Sequence, residues 1–102
     1  DYLEEFDGSD EILAAVHLGA IGDCFAQIDQ PEDALDYYKK AVNARTNDFT
    51  TPLYLMKAAQ TAEYLGSNGE ALKLYSQLKK EFPASRDAQD IDKYIARVEA
   101  KQ

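Results

Sequence analysis

Acid–base or nucleophilic work needs reactive side chains within hydrogen-bond reach of one another, and this sequence is poor in them. It holds one histidine, His17, and one cysteine, Cys24. A single imidazole cannot build a His-paired nucleophile or a multi-histidine metal site. A single thiol rules out an intrachain disulfide. His17 reads as a surface or groove residue early in a helix. Cys24 sits on an apolar helical stretch with no basic residue nearby in sequence, and is expected to be a small buried hydrophobe. Asp90 and Asp92 are the nearest thing to a carboxylate pair, but residues two apart diverge around a helix and do not share a face. They read as solvated. Seven tyrosines, Tyr2, Tyr37, Tyr38, Tyr54, Tyr64, Tyr75 and Tyr94, mostly belong to packing between helices and not to a stacking platform for bases. The expectation is a chain that is not an enzyme and uses no metal and no cofactor.

The elements that carry these residues are bounded by composition. Hydrophobic residues make up 45% and charged residues 29% of 102 positions, the balance of one soluble globular domain. The net charge of −8 is unevenly spread: residues 1–36 hold eleven acids and no Lys or Arg, whereas the rest holds eight acids and eleven bases. Nucleic acid is excluded as a partner, because phosphate binding needs a basic stripe. The acidic end is a solvated surface or, alternatively, a docking site for a basic partner. The longest apolar stretch falls well short of the ~20 residues that cross a bilayer, and no signal peptide opens the chain. The chain as given is expected to be soluble. It opens at Asp1 without an initiator methionine, as an excised portion of a longer protein would.

An internal repeat organises the sequence. Pro31-Glu32-Asp33-Ala34-Leu35-Asp36-Tyr37-Tyr38 aligns with Asn68-Gly69-Glu70-Ala71-Leu72-Lys73-Leu74-Tyr75 at an offset of 37 residues, bringing Ala34 onto Ala71, Leu35 onto Leu72 and Tyr38 onto Tyr75. A small residue followed one turn later by a ring lets two helix axes approach while the ring fills the space beside them. Upstream, Ile21-Gly22-x2-Phe25 has a weaker counterpart in Ala58-Ala59-x2-Ala62.

Local signals place five helices. The first runs from about Asp10 to Ile28, with Ile12, Val16, Ile21, Phe25 and Ile28 expected on its packing side. Pro31 fits the first turn of a second that ends near Arg45. Thr51 and Pro52 form an N-cap and N1 pair for a third, which Gly66 ends near Leu65. Ser67-Asn68-Gly69 turns into a fourth that ends near Phe82, ahead of Pro83. Ser85 is expected to cap a fifth helix to about Lys101, with Ala88, Ile91, Ile95 and Val98 inward and Asp87, Asp90, Asp92, Lys93 and Arg97 toward water. Asp1-Tyr2-Leu3-Glu4-Glu5-Phe6 resembles Asp36–Ala41 and reads as the tail of a preceding helix. An apolar face of the first hairpin would then be open, and such a fragment can self-associate through it.

The Ala-x3-Tyr copies, the Ile-Gly-x2-Phe segment and Pro83 resemble the signature of the tetratricopeptide repeat. The spacing exceeds the ~34 residues of that repeat, and the excess is placed at Asn47–Thr51, where insertion costs little. The resemblance implies an all-α, right-handed solenoid of antiparallel hairpins: residues 1–10 as remnant and linker, 11–48 as one repeat, 49–84 as a second, and 85–102 as a C-terminal capping helix whose polar outer face closes the stack. The runs Leu18-Gly19-Ala20-Ile21-Gly22-Asp23, Asn47-Asp48-Phe49-Thr50-Thr51-Pro52-Leu53-Tyr54-Leu55 and Ile91-Asp92-Lys93-Tyr94-Ile95-Ala96-Arg97 look like the C-terminal half of a Gram-negative bacterial family of such proteins. That family carries one N-terminal membrane-spanning helix, with the repeats on the periplasmic side of the inner membrane.

The resemblance implies a non-catalytic scaffold that binds a protein or peptide, in the manner of a membrane-tethered periplasmic chaperone or translocon-accessory factor. The alternative is an architectural module that self-associates in a larger oligomer. The first helix of each pair lines the concave surface of such stacks, which nominates Val16, Gly19, Asp23, Ala26 and Gln27, with Leu53, Met56, Gln60, Glu63 and Tyr64. A mixed groove of this kind holds an extended or helical segment, and its acids favour basic residues. The clamp for a C-terminal carboxylate is excluded, because Gly19 and Asp23 stand where it needs Lys and Asn.

Overall fold

The computed structural model describes residues 7–44 and 46–102, with side chains from Ile12 onward. Five α-helices follow one another: α1 (Asp7–Gln27), α2 (Pro31–Ala44), α3 (Thr50–Tyr64), α4 (Asn68–Glu81) and α5 (Ile91–Lys101), with one 3₁₀ turn at Arg86–Ala88. No strand occurs among the described residues, so the all-helical expectation holds. α1 starts at Asp7, ahead of the expected Asp10. The segment read as the remnant of a preceding helix, residues 1–6, lies outside the described residues, and so does Arg45.

Short connections fold α2 back on α1 and α4 back on α3, and both turns are built alike. After α3, Ser67 N–H donates to Ala62 O and Gly66 N–H to Glu63 O. Gly66 has φ 80°, the left-handed residue that closes a Schellman cap. After α1, Gln30 N–H donates to Phe25 O and Asp29 N–H to Ala26 O, but the left-handed position is held by Asp29 at φ 61°. The first turn therefore tolerates a Cβ where the second has none.

Two helix starts differ from expectation. Thr51 lies inside α3 and is 1% exposed, so it does not cap it. Asn47 does: its Oδ1 accepts from the N–H groups of Phe49 and Thr50 at 2.8 and 2.7 Å, while Thr51 Oγ1 accepts from Asn47 N–H. An amide three residues ahead reaches the orphan donors that the threonine, already helical, turns away from. Ser85 caps the 3₁₀ turn, its Oγ accepting from Ala88 N–H at 3.2 Å. α5 starts only at Ile91, because Ala88 N–H bonds back to Ser85 and Gln89 N–H to Arg86, a three-residue pitch that does not run on into an α-helix.

The packing face of α1 also differs from the one expected. Ala15, Gly19 and Gly22 are buried, whereas Val16, Ile21 and Ile28 are 40%, 41% and 61% exposed. Cys24, expected inside, is exposed on the same outer side. Small residues win because the axes come close. A Cβ on Gly22 would stand 2.8 Å from the Tyr38 ring and 3.3 Å from the Ala34 carbonyl, and one on Gly19 would fall within the Tyr54 ring. α1 is apolar on both sides, and the side with the bulkier residues has no neighbour among the described residues.

The core is centred on α3, where Tyr54, Leu55, Met56, Ala58, Ala59 and Ala62 are buried between its neighbours. Ala34 and Ala71 are fully buried, as the repeat pattern requires. Tyr75, Leu55, Leu78 and Val98 are enclosed completely, each worth about 2 kcal/mol of transfer free energy. Each helix packs on the next in sequence, and α1 also touches α3. The Cα extents of 51 × 32 × 17 Å describe a slab, its short axis admitting two layers of helices spaced 8–10 Å apart.

Candidate functional site

Two polar clusters sit at the junctions between helices, and each is made of the same four parts. At the first, the Asp23 carboxylate of α1 accepts from the Tyr38 hydroxyl of α2 and from Lys57 Nζ of α3 at 2.9 and 3.1 Å. Lys57 also lies 5.8 Å from the centre of the Tyr38 ring and 5.9 Å from that of Tyr54, and these rings stack at 6.2 Å. At the second, Glu63 of α3 accepts from the Tyr75 hydroxyl of α4 at 3.0 Å and from Arg97 Nε and Nη2 of α5, both at 2.7 Å. Arg97 lies 5.1 Å from the centre of the Tyr94 ring, which pairs with Tyr75 at 5.7 Å. In both clusters the cation follows its tyrosine by three residues, so both project from one helix face.

The charge states follow. Burial alone pushes the Asp23 carboxyl up, but the hydrogen bonds from Tyr38 and Lys57, with the lysine charge, outweigh it and hold the group below its usual value. Burial, and then the bond to Asp23, raise the Tyr38 phenol. The hydrogen bond from Arg97 is the largest influence on Glu63 and, against burial and with help from Lys101 and Tyr75, brings it to about 2. Tyr75 rises to about 12, through burial and then its bond to Glu63. Both carboxylates are ionised at neutral pH, and both tyrosines are kept as donors.

The two junctions differ in what they leave open. Lys101 Nζ also reaches Glu63, at 2.7 Å, so α5 lies over this carboxylate, whose side chain is 9% exposed. At the first junction nothing among the described residues covers the space beyond the Asp23–Lys57 pair. A groove of about 440 Å³ opens there, lined by Asp23, Ala26, Asp29, Pro31, Tyr38, Lys57, Gln60, Thr61 and Tyr64. The contacts Gly19–Tyr54 and Asp23–Lys57 run in the same sense along α1 and α3, so the two helices are parallel walls. Tyr38, 4% exposed, forms the floor. Asp29, in the turn that follows α1, and Tyr64, the last residue of α3, line the groove beyond the ion pair, Tyr64 roughly 10 Å along its helix from Lys57 at 1.5 Å rise per residue.

Of the residues nominated from sequence, the groove brings together Asp23, Ala26, Gln60 and Tyr64. Glu63 is engaged by Arg97 and Lys101; Arg97, expected toward water, is exposed and reaches Glu63 from the surface. Gly19 is buried beneath Tyr54, and Met56, 8% exposed, belongs to the core. Val16 and Leu53 are 40% and 37% exposed and, like the exposed Gln27, lie off the groove lining. Sequence reasoning missed Lys57 and Asp29. Lys57 could have been found as the cation one turn after an inward tyrosine, and Asp29 as the residue that replaces a C-capping glycine. His17 is exposed on α1, and no group of three or more His, Cys, Asp or Glu forms a metal cage among the described residues. No helix among them is long and apolar enough to cross a membrane.

No family model, curated protein or solved structure matches this chain.

Proposed function

We propose that the chain is a tetratricopeptide-type interaction module that holds a segment of a partner protein in the groove between α1 and α3, and performs no catalysis. The observation that carries this reading is the open groove itself, with two parallel helices as walls, a tyrosine floor and a rim residue, Tyr64, 75% exposed. Large aromatic surface left in water beside an unfilled groove is what a binding partner covers. Paired helix hairpins with Ala34 and Ala71 at their close contacts support the solenoid reading, and α5 acts as the cap that closes the second junction. By resemblance, the setting is a membrane-tethered scaffold or holdase on the periplasmic side of a Gram-negative inner membrane.

The test is a pull-down with the native partner pool, comparing wild type with Tyr64→Ala and Gln60→Arg. Both positions are exposed, so stability should stay within about 0.5 kcal/mol while capture falls severalfold. Undiminished capture by both variants would remove the groove from the proposal.

A second reading, self-association into a larger assembly, is favoured by one observation. Leu13, Val16, Ile21 and Ile28 are 40–61% exposed along the outer side of α1, an apolar stripe with no neighbour among the described residues.

A further inference from the structure

We infer that the groove selects a segment carrying a basic side chain, Arg or Lys, seated between the Tyr64 ring and the Asp29 carboxylate; this rests on the proposed peptide-holding role. The groove holds three charged residues, Asp23, Lys57 and Asp29. Lys57 is committed to Asp23 through both carboxylate oxygens, so the pair presents no net charge to a ligand. Asp29 makes no ion pair among the described residues and is exposed, so the groove carries one net negative charge at its open end. The first turn of α2 adds the exposed acids Glu32 and Asp33 within four residues of it. No uncommitted cation among the lining residues opposes them.

Tyr64 supplies the other half of the seat. Its ring, 75% exposed at the end of α3, offers a π-face for a guanidinium or ammonium and an apolar surface for the methylene stem beneath it. An acidic segment would instead meet Asp29 with the local field against it. Asp29 also keeps a left-handed backbone, φ 61°, where the matching turn after α3 has Gly66 at φ 80°. A glycine there would relieve the turn and delete the carboxylate, so fold and ligand make opposite demands on one residue.

The experiment pans displayed linear peptides of random sequence on the wild-type chain, keeping those that lose binding to Tyr64→Ala. It then measures their fluorescence anisotropy with wild type, Asp29→Asn and Asp29→Gly. Arg or Lys should be enriched among the retained peptides. Affinity should fall about tenfold in Asp29→Asn, which tolerates the left-handed turn, and also in Asp29→Gly although that variant melts at a higher temperature. Groove-dependent peptides without basic enrichment, or affinities unchanged in Asp29→Asn, would overturn the charge selectivity and leave the groove reading intact. If no peptide depends on Tyr64, both fall together.

Discussion

Glycine inside a helix is a cost that only a close neighbour explains, and Gly19 has one. A Cβ at this position would lie 2.1 Å from Tyr54 Cζ and 2.2 Å from Cε1. The ring, 5% exposed and stacked on Tyr38, has nowhere to move. Alanine would gain up to about 1 kcal/mol in helix propensity, but overpacking a filled site costs about 1–3 kcal/mol, and here the ring itself must leave its stack. Gly19→Ala is therefore expected to lower unfolding free energy by about 2 kcal/mol in urea titrations. In the Tyr54→Ala background the same change should be neutral or favourable, the mark of a coupled pair. A Gly19→Ala chain as stable as wild type would show that the two helices do not meet there. The glycine was visible in the sequence as a candidate ligand contact, but the ring that fills its place is 35 positions away, beyond any local pattern. Ala34 and Ala71, by contrast, were legible as close contacts, because each carries its ring one turn ahead on its own helix.

The docking of α5 shows what local reading reaches and where it stops. Ile91, Ile95 and Val98 of α5, with Ala88 of the 3₁₀ turn before it, are expected inward from periodicity, and Ala88, Ile91 and Val98 are buried. Arg97 falls on the polar side of that same pattern and stays exposed, and only the position of Glu63, 34 residues earlier, gives it a partner. The resulting clasp depends on pH. Glu63 titrates near 2 in the fold against an ordinary value of 4.5, so the unfolded chain binds its proton first as pH falls. The stabilisation is complete above about pH 4.5 and is lost progressively toward pH 2. Charge-assisted bonds to a nearly buried carboxylate contribute about 2 kcal/mol here, allowing for the half-exposed Arg97 and Lys101. Asp23, also held below its usual value, adds an acid dependence of the same sign. Glu63→Gln should lose about that much stability at neutral pH and show a flatter decline between pH 4.5 and 2, followed by tyrosine near-UV dichroism. An acid titration identical to wild type would refute the clasp.

At the scale of the molecule, α1 and α3 occupy comparable places in successive hairpins, yet among the described residues only α3 is covered on both sides. At the repeat offset of 37, the α3 residues Thr50, Tyr54, Lys57 and Ala58 correspond to Leu13, His17, Ala20 and Ile21 of α1. Thr50, Tyr54 and Ala58 are buried and Lys57 half-buried, whereas all four on α1 are exposed. The stripe is apolar enough to bury against a second copy, and sedimentation at rising concentration should then show reversible association that Ile21→Asp abolishes. A monomer at every concentration would end the self-association reading and leave the groove untouched. Sequence reasoning foresaw an open face on the first hairpin but assigned the bulky residues of α1 to its packed side. A helix apolar all round gives no contrast by which to choose.

Because each helix leans chiefly on the next in sequence, with smaller contacts of α3 to α1 and to the 3₁₀ turn, most contacts are made between neighbouring elements of the chain. Little entropy is spent before contacts begin to form. A polypeptide with this wiring can acquire structure in the order in which it leaves a ribosome or a translocation pore, each hairpin settling on the one already made, without waiting for its far end.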